Sequence, residues 1–364
     1  MLGPELTLVD DNHVLWEGRK LLYFGGTDYH RLSRHPRVRE AVRHAAGQYG
    51  ISPTGSRITT GNHPLYRELE TEIAKFFATE AALVCSGGYL ANMVLIQSVS
   101  REFDRVFIDQ RAHPALWDAA RVSGLPLVVF RHGDVDHLAA QLQQHLSAHE
   151  HPLILTDGIF PAEGEMAPLG QLADLARRFS GKLLIDDAHG MGVLGTTGKG
   201  SVEEAQLPAD IYYQTGTLSK AFGTFGGILT GPAGLIRQVQ HQSAAFIGST
   251  GLPLPIAAAS VQALRILREE PGLLTDLRQN TFYLRKQLQQ LGWSIPASPV
   301  PVISLRFTEE AQNRRLRTLL LEREIFPPFI HYPGAPAGGH FRFVISSRHT
   351  REELNRVVEA LSRM

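Results

Sequence analysis

The chain has 364 residues, 43% hydrophobic and 20% charged, which excludes a disordered composition and suffices for one large and one smaller globular unit. Lysine plus arginine equals aspartate plus glutamate at 36 each, so there is no global basic field to recruit nucleic acid or an anionic membrane surface. The single cysteine, Cys85, excludes an intramolecular disulfide framework and a multi-cysteine zinc site. No apolar run approaches the roughly 20 residues that cross a bilayer. The opening Met1–Leu6 shows no basic stretch followed by an apolar one, so a cytoplasmic protein is expected.

In chain order, a helical pattern at Pro64–Phe77 leads into an apolar run at Ala82–Cys85, and a second helical pattern follows at Tyr89–Val99. Strand-like runs recur at Arg105–Ile108, Leu127–Phe130, Leu153–Thr156, Lys182–Ile185, Ile211–Gln214 and Gly227–Leu229. Helical patterns at Val135–Ala148, Leu169–Phe179 and Ala233–Gln242 lie among them. This alternation predicts an α/β architecture, a mostly parallel seven-stranded sheet covered by helices on both faces. After the proline-rich Leu252–Pro255 the pattern changes to long helices at Ile256–Arg268 and Leu273–Leu291. Then come a strand at Val302–Phe307, a helix at Glu309–Glu322, a strand at Phe341–Ser346 and a helix at Arg351–Arg363, with Thr350 as its N-cap. The expected division is an N-terminal segment, 1–35, packing with the small domain, a large domain at 36–250, and a small α+β domain at 251–364.

Two segments carry chemistry. Leu183-Leu-Ile-Asp186-Asp187-Ala-His189-Gly190 is a buried strand whose carboxyl end delivers a carboxylate and an imidazole into a glycine turn, where open α/β sheets bind ligands. Thr215-Gly-Thr217-Leu-Ser219-Lys220 ends another strand with hydroxyls and a lysine. A pyridoxal 5′-phosphate (PLP) enzyme needs this set: a lysine amine, a carboxylate for the pyridine nitrogen, and donors for the phosphate. Asp186 and Asp187 point to opposite sides by strand alternation, so only one reaches a ring. Taken singly, such aspartates and lysines are usually exposed; spacing and strand-end placement carry the reading.

Weaker signals surround these. Ser86-Gly87-Gly88-Tyr89 joins a strand to a helix and suits a phosphate cradle, while Cys85 before it reads as a small buried hydrophobe. His113 follows a strand and a polar turn, where it could stack on a flat ring or sit on a surface loop. Gly55–Pro64 reads as a substrate-facing or interface loop, or an ordinary surface one. Arg342, in an apolar strand, needs a partner: a substrate carboxylate, an internal ion pair or solvent. Gly190-Met-Gly192-Val-Leu-Gly195 matches a dinucleotide fingerprint formally, but no helix opening follows, so a nicotinamide oxidoreductase is set aside. Gly198-Lys199-Gly200-Ser201 fails likewise as a phosphate loop.

Asp186-Asp-Ala-His189-Gly, Thr217-Leu-Ser-Lys220, Ser86-Gly-Gly-Tyr-Leu-Ala-Asn92, His113 and Gly55-Ser-Arg57 with Gly61-Asn62-His63 together resemble the α-oxoamine synthases. This branch of fold-type I PLP enzymes includes 8-amino-7-oxononanoate synthase and 2-amino-3-ketobutyrate CoA ligase, and the resemblance runs from about Leu22 to the C-terminus. It implies a homodimer with sites at the interface and a C-acyltransferase that joins an amino acid to an acyl-CoA or acyl-carrier thioester. It also implies Lys220 as the Schiff-base lysine, Asp186 at the ring nitrogen, His189 at the ring oxygen and His113 stacked on the ring. Gly88, Tyr89 and Thr217 would hold the phosphate, with Ser249 and Thr250 reaching it from the other subunit. Arg342, with Thr27 and Ser346, would take the amino-acid carboxylate. Thr27 stands where the family usually has asparagine and Pro161 where serine is common, so the two substrates are left open. An aminotransferase is the alternative; histidines at positions 113 and 189 argue against it, since that class favours an aromatic residue and a tyrosine there. A non-catalytic relative is disfavoured by Lys220, Asp186 and both histidines.

Overall fold

The computed structural model describes residues 3–331 and 339–364; Met1 and Leu2, at the head of the expected N-terminal segment, lie outside the described residues. Its centre is a seven-stranded sheet in the spatial order Ala81–Cys85, Gly227–Gly231, Tyr212–Thr217, Lys182–Asp186, Pro152–Asp157, Arg105–Asp109, Leu127–Phe130. Gly227–Gly231 runs antiparallel to both neighbours, and the remaining pairings are parallel. Every residue of Pro152–Asp157 is buried, which parallel strands require once helices cover both faces. Successive residues feed opposite layers. Leu153 and Leu155 pack with Leu95, Leu116 and Val239 on one side, while Ile154 packs with Leu138, Leu172 and Ala176 on the other. These are the seven strands the sequence predicts, displaced only at their ends, as where Ile211–Gln214 becomes Tyr212–Thr217.

A second, antiparallel sheet orders Val302–Leu305, His340–Val344 and Phe329–Ile330. The helices Gly272–Gln290, Glu310–Glu322 and Arg351–Leu361 close its core through Leu284, Leu288, Leu316, Leu320, Leu354 and Val357. The last helix is opened by a capping box in which Thr350 and Glu353 satisfy each other's backbone amides. Three short N-terminal strands, Thr7–Leu8, His13–Trp16 and Arg19–Leu22, form their own sheet and escape a periodicity reading because each spans four residues or fewer. Leu22 and Phe24 enter the small-sheet core, and Leu22 N donates to Glu324 O at 2.7 Å.

The structure departs from the expected division at one helix. Leu254–Glu269, expected to open the small domain, lies against Pro36–Tyr49 and Pro64–Phe77 and shares a core with Tyr66, Leu69, Phe76 and Phe222. Its apolar residues Ala257, Ala263, Leu264 and Ile266 leave little polar surface to expose, so it is spent on the large unit.

Asp187 ties the loop after the central strand. Fully buried, it accepts from Ser201 N and Gln214 Nε2, both at 2.8 Å. A methyl group on Gly190 or Gly200 would sit 2.0 Å from its oxygens, so both positions must be glycine. Residues 190–200 are thus a turn folded around this carboxylate, with only the short helix Ser201–Glu204 beyond, and no dinucleotide-type helix opens there. Burial pushes the Asp187 carboxyl up to about 7. Its folded value lies above the ordinary 3.8, so its contribution to stability is full below about pH 4 and is lost as the pH rises through 7. Asp187→Asn keeps the shape and removes the charge. Between pH 4 and 7 the unfolding free energy of the wild type is expected to fall relative to this variant; parallel pH profiles in chemical denaturation would refute the assignment.

Candidate active site

The functional side chains converge at the carboxyl ends of the central strands. Asp186 ends its strand in register with Asp157 on one side and Thr215 on the other. Its Oδ2 accepts from Asn92 Nδ2 at 2.7 Å and its Oδ1 from Ala188 N at 3.1 Å. Asn92 is oriented in turn by Thr215, whose hydroxyl donates to Asn92 Oδ1 at 2.5 Å. The opposite facing of Asp186 and Asp187, expected from alternation, is what separates their roles: one looks toward Asn92, the other toward Gln214. Asp157 is buried beside Asp186 and accepts from His113 N at 2.8 Å. Burial, and then the neighbouring Asp186, push the Asp157 carboxyl well above the usual carboxylate range.

Lys220 stands in the loop after Tyr212–Thr217. Burial lowers its amine below the ordinary lysine value, Asp186 and Asp157 oppose that shift, and Arg342 adds to it. His189 is 7% exposed and its Nδ1 lies 2.8 Å from the Tyr29 hydroxyl. Burial, reinforced by Lys220 and Arg342, holds His189 well below the usual imidazole value, so the ring is neutral. His113 caps the helix Pro114–Val122, its Nδ1 accepting from Ala115 N at 3.2 Å, which requires that nitrogen to be unprotonated. Burial lowers its pKa in keeping with that role. The device recurs: His35-Pro36 and His63-Pro64 open two other helices in the same way.

Opposite these groups the helix Gly88–Val99 begins at Gly87 with no side-chain cap, leaving its first amides free for an anion. Gly88 must be glycine because a Cβ there would lie 2.7 Å from Thr217 Cβ. The Thr217 hydroxyl accepts from Ser219 N at 3.1 Å and bonds Gly226 O at 2.9 Å, pinning the turn that presents Lys220. Tyr89 sets its ring edge-on to His113, centroids 6.0 Å apart, and its hydroxyl donates to Asp118 at 2.5 Å. Arg342 donates through Nε to Pro161 O at 2.6 Å, while its Nη2 is buried with no partner. The small sheet therefore aims an unanswered guanidinium nitrogen at the large sheet's strand ends.

Thr250 O accepts from Ser86 Oγ at 2.7 Å, which sets Thr250 beside the glycine turn, and the Ser249 hydroxyl bonds Ala245 O. Thr27 sits in a turn, its carbonyl accepting from Tyr29 N at 3.0 Å. Ser346 is 1% exposed, and its backbone holds His349 and Asn280. Arg57 pairs with Glu70 and lies 4.8 Å from the Tyr66 ring centroid, which fixes the polar loop to the following helix. Cys85 is buried and its thiol is pushed up to about 12, the inert state expected of it. The sequence reading missed Asp157, Asn92 and Tyr29 as site residues. Asp157 carried the same signal as Asp186, an aspartate closing an apolar strand.

A sequence model of the aminotransferase class I and II family matches residues 19–361. The 8-amino-7-oxononanoate synthase 1 of Bacillus velezensis is 34% identical over 346 residues, 95% of this chain and 88% of its own. The 8-amino-7-oxononanoate synthase of Trichlorobacter lovleyi is 35% identical over 354 residues, covering 96% and 90%. Among solved structures, serine palmitoyltransferase of Sphingomonas wittichii superposes with a TM-score of 0.91 at 26% identity, covering 98% of this chain and 91% of that one. Among the described residues no helix is long and apolar enough to cross a membrane. Strand-end chemistry, fold and relatives agree, and the chain belongs to the aminotransferase class I and II family, in its branch of PLP-dependent α-oxoamine synthases.

Proposed function

We propose that this enzyme joins an amino acid to an acyl-CoA or acyl-carrier thioester to give an α-amino ketone, in keeping with relatives named 8-amino-7-oxononanoate synthase. The α-carbon loses its proton and forms a bond to the thioester carbonyl, the thiolate departs and takes up a proton, and the amino-acid carboxylate leaves as CO2 while a proton returns to the α-carbon. The observation that carries the reading is the buried, unpartnered Nη2 of Arg342, set in the same electrostatic neighbourhood as Lys220 and His189. A carboxylate completes that guanidinium with a charge-assisted bond. The residues present fit PLP. The uncapped helix at Gly88 and the Thr217 turn suit its phosphate, and Asp186, braced by Asn92, suits a protonated ring nitrogen. When bound, PLP supplies an electron sink for the carbanion at the amino acid's α-carbon.

Lys220 carries the cofactor through Nζ. Its amine, made less basic by desolvation, would also serve as the proton acceptor for the α-carbon. Neutral His189, steadied by Tyr29, would offer a hydrogen bond to the ring oxygen, and His113 would stack on the ring. Tyr89 contributes through its backbone amide, since its hydroxyl is committed to Asp118. Pro161 brings no hydroxyl but orients Arg342 through its carbonyl.

The enzyme works in the cytoplasm as a homodimer with its sites at the interface, Ser249 and Thr250 serving the partner's phosphate site. Support comes from an apolar rim on this face. Tyr49, Ile51, Ile58, Phe225 and Ile247 are exposed. Phe225 lies 3.8 Å from where a Cβ on Gly87 would be, and Ser56, two residues before Ile58, donates to Ile247 O. Such a patch suits a subunit contact. Ile58→Glu is expected to yield monomers in analytical ultracentrifugation and to lose turnover; a monomeric, active wild type would refute the interface.

Two experiments address the chemistry. Borohydride reduction of the holoenzyme followed by peptide mass spectrometry is expected to find the cofactor fixed to Lys220, and its attachment to any other lysine would overturn the assignment. Arg342→Ala is expected to raise the amino-acid KM roughly 10- to 100-fold, the scale of about 1.5–3 kcal/mol for a charged hydrogen bond, with cofactor retention little changed. Unaltered amino-acid affinity would exclude Arg342 as the carboxylate clamp.

A further inference from the structure

Away from the strand ends, a second cavity of about 900 Å³ opens where the helix Gly272–Gln290 meets the large unit. That volume is on the scale of a small-molecule site. Its apolar lining includes Phe76, Leu267, Leu274 and Phe282, the last 45% exposed, an unusual position for a bare phenyl ring. Its charged lining is cationic throughout: among the described residues no carboxylate faces it. Some of these cations are answered from behind the wall, Arg268 by Glu72 at 2.9 Å and Arg278 by Glu204 at 3.2 Å. Lys199 and Lys286 have no carboxylate partner among the described residues, and Arg351 lies over the Tyr283 ring, 4.2 Å from its centroid. Lys286 stands one helical turn beyond Phe282, so a phenyl face and an ammonium are presented together.

We propose that this cleft binds an amphipathic anion, a hydrocarbon chain ending in a carboxylate or a phosphate. The chain lies on Phe76, Leu274 and Phe282, and the head group lies at Lys199 and Lys286. Apolar lining without a carboxylate rejects cations and sugars, whereas two unanswered ammonium groups reward an anion. Each buried methylene contributes about fourfold in affinity, and the head-group term weakens with added salt. The site touches the catalytic machinery only indirectly. Its wall is the loop 192–199, which follows His189, and Gly192 O accepts from the buried His30 Nε2 at 2.7 Å. A ligand there braces that loop against the helix Gly272–Gln290.

The test is calorimetric titration of the PLP-loaded enzyme with decanoate, decyl phosphate, decanol and inorganic phosphate, repeated with excess CoA. Either or both decyl anions should bind one per chain, which separates the carboxylate source from the phosphate source. Decanol should bind at least tenfold more weakly, and CoA should not compete. The double variant Lys199→Glu/Lys286→Glu should lose tenfold or more in affinity for the bound anion while keeping wild-type turnover in the absence of decyl anions. Should that variant fold poorly, Phe282→Ser should show the same loss. The proposal is overturned by the absence of saturable binding, by undiminished binding in the variants, or by displacement with CoA, which would place decanoate in the acyl site instead. Inorganic phosphate binding as tightly as decyl phosphate would also overturn it, since the apolar lining would then contribute nothing.

Discussion

Thr215, Asn92 and Asp186 form a chain of side-chain hydrogen bonds that locks a buried carboxylate to the helix behind the glycine turn. A charged group so nearly closed to water is tolerable only when its acceptor sites are filled. Here one oxygen is filled by an amide one turn inside the helix Gly88–Val99 and the other by the backbone of Ala188. The same bonds set the distance between the helix N-terminus and the strand end. A ligand with an anionic group at one place and a basic nitrogen at another thus meets two complementary charges on a rigid frame.

Around that frame, burial rather than formal charge decides which groups are ionised. Lys220 is drawn down, Asp157 is drawn up and His189 is held neutral, each chiefly by desolvation. Neutral His189 and a less basic lysine are the states proton transfer near neutral pH requires. Arg342 arrives from a different sheet and is aimed by the carbonyl of Pro161. The position of that guanidinium therefore depends on how the small sheet docks on the large one, and a shift in that docking would move it relative to Lys220.

Histidine serves two opposite purposes in this fold. At His35, His63 and His113 it precedes a proline and caps a helix through Nδ1. At His189 it follows the central strand and relies on Tyr29. His113 joins both uses: its backbone braces Asp157, its ring caps a helix, and the ring edge meets Tyr89. One ring nitrogen committed to the cap fixes the plane in which the ring can meet a cofactor.

The amino-acid sequence by itself determined the seven strands and most helices, and marked Lys220, Asp186, His189 and Arg342 as candidate site residues, because those signals are local. Apolar alternation, glycine turns and strand-end polar residues are written within a few positions of one another. What it could not determine is which distant group answers each buried polar atom. Tyr29 meets His189 across 160 positions, Asn92 meets Asp186 across 94, and the Pro161 carbonyl meets Arg342 across 181. Likewise the helix Leu254–Glu269 was legible as a helix, but only packing assigned it to the large unit. Local pattern decides what a segment becomes; tertiary packing decides which polar groups are desolvated, and desolvation is what turns these side chains into a reactive site.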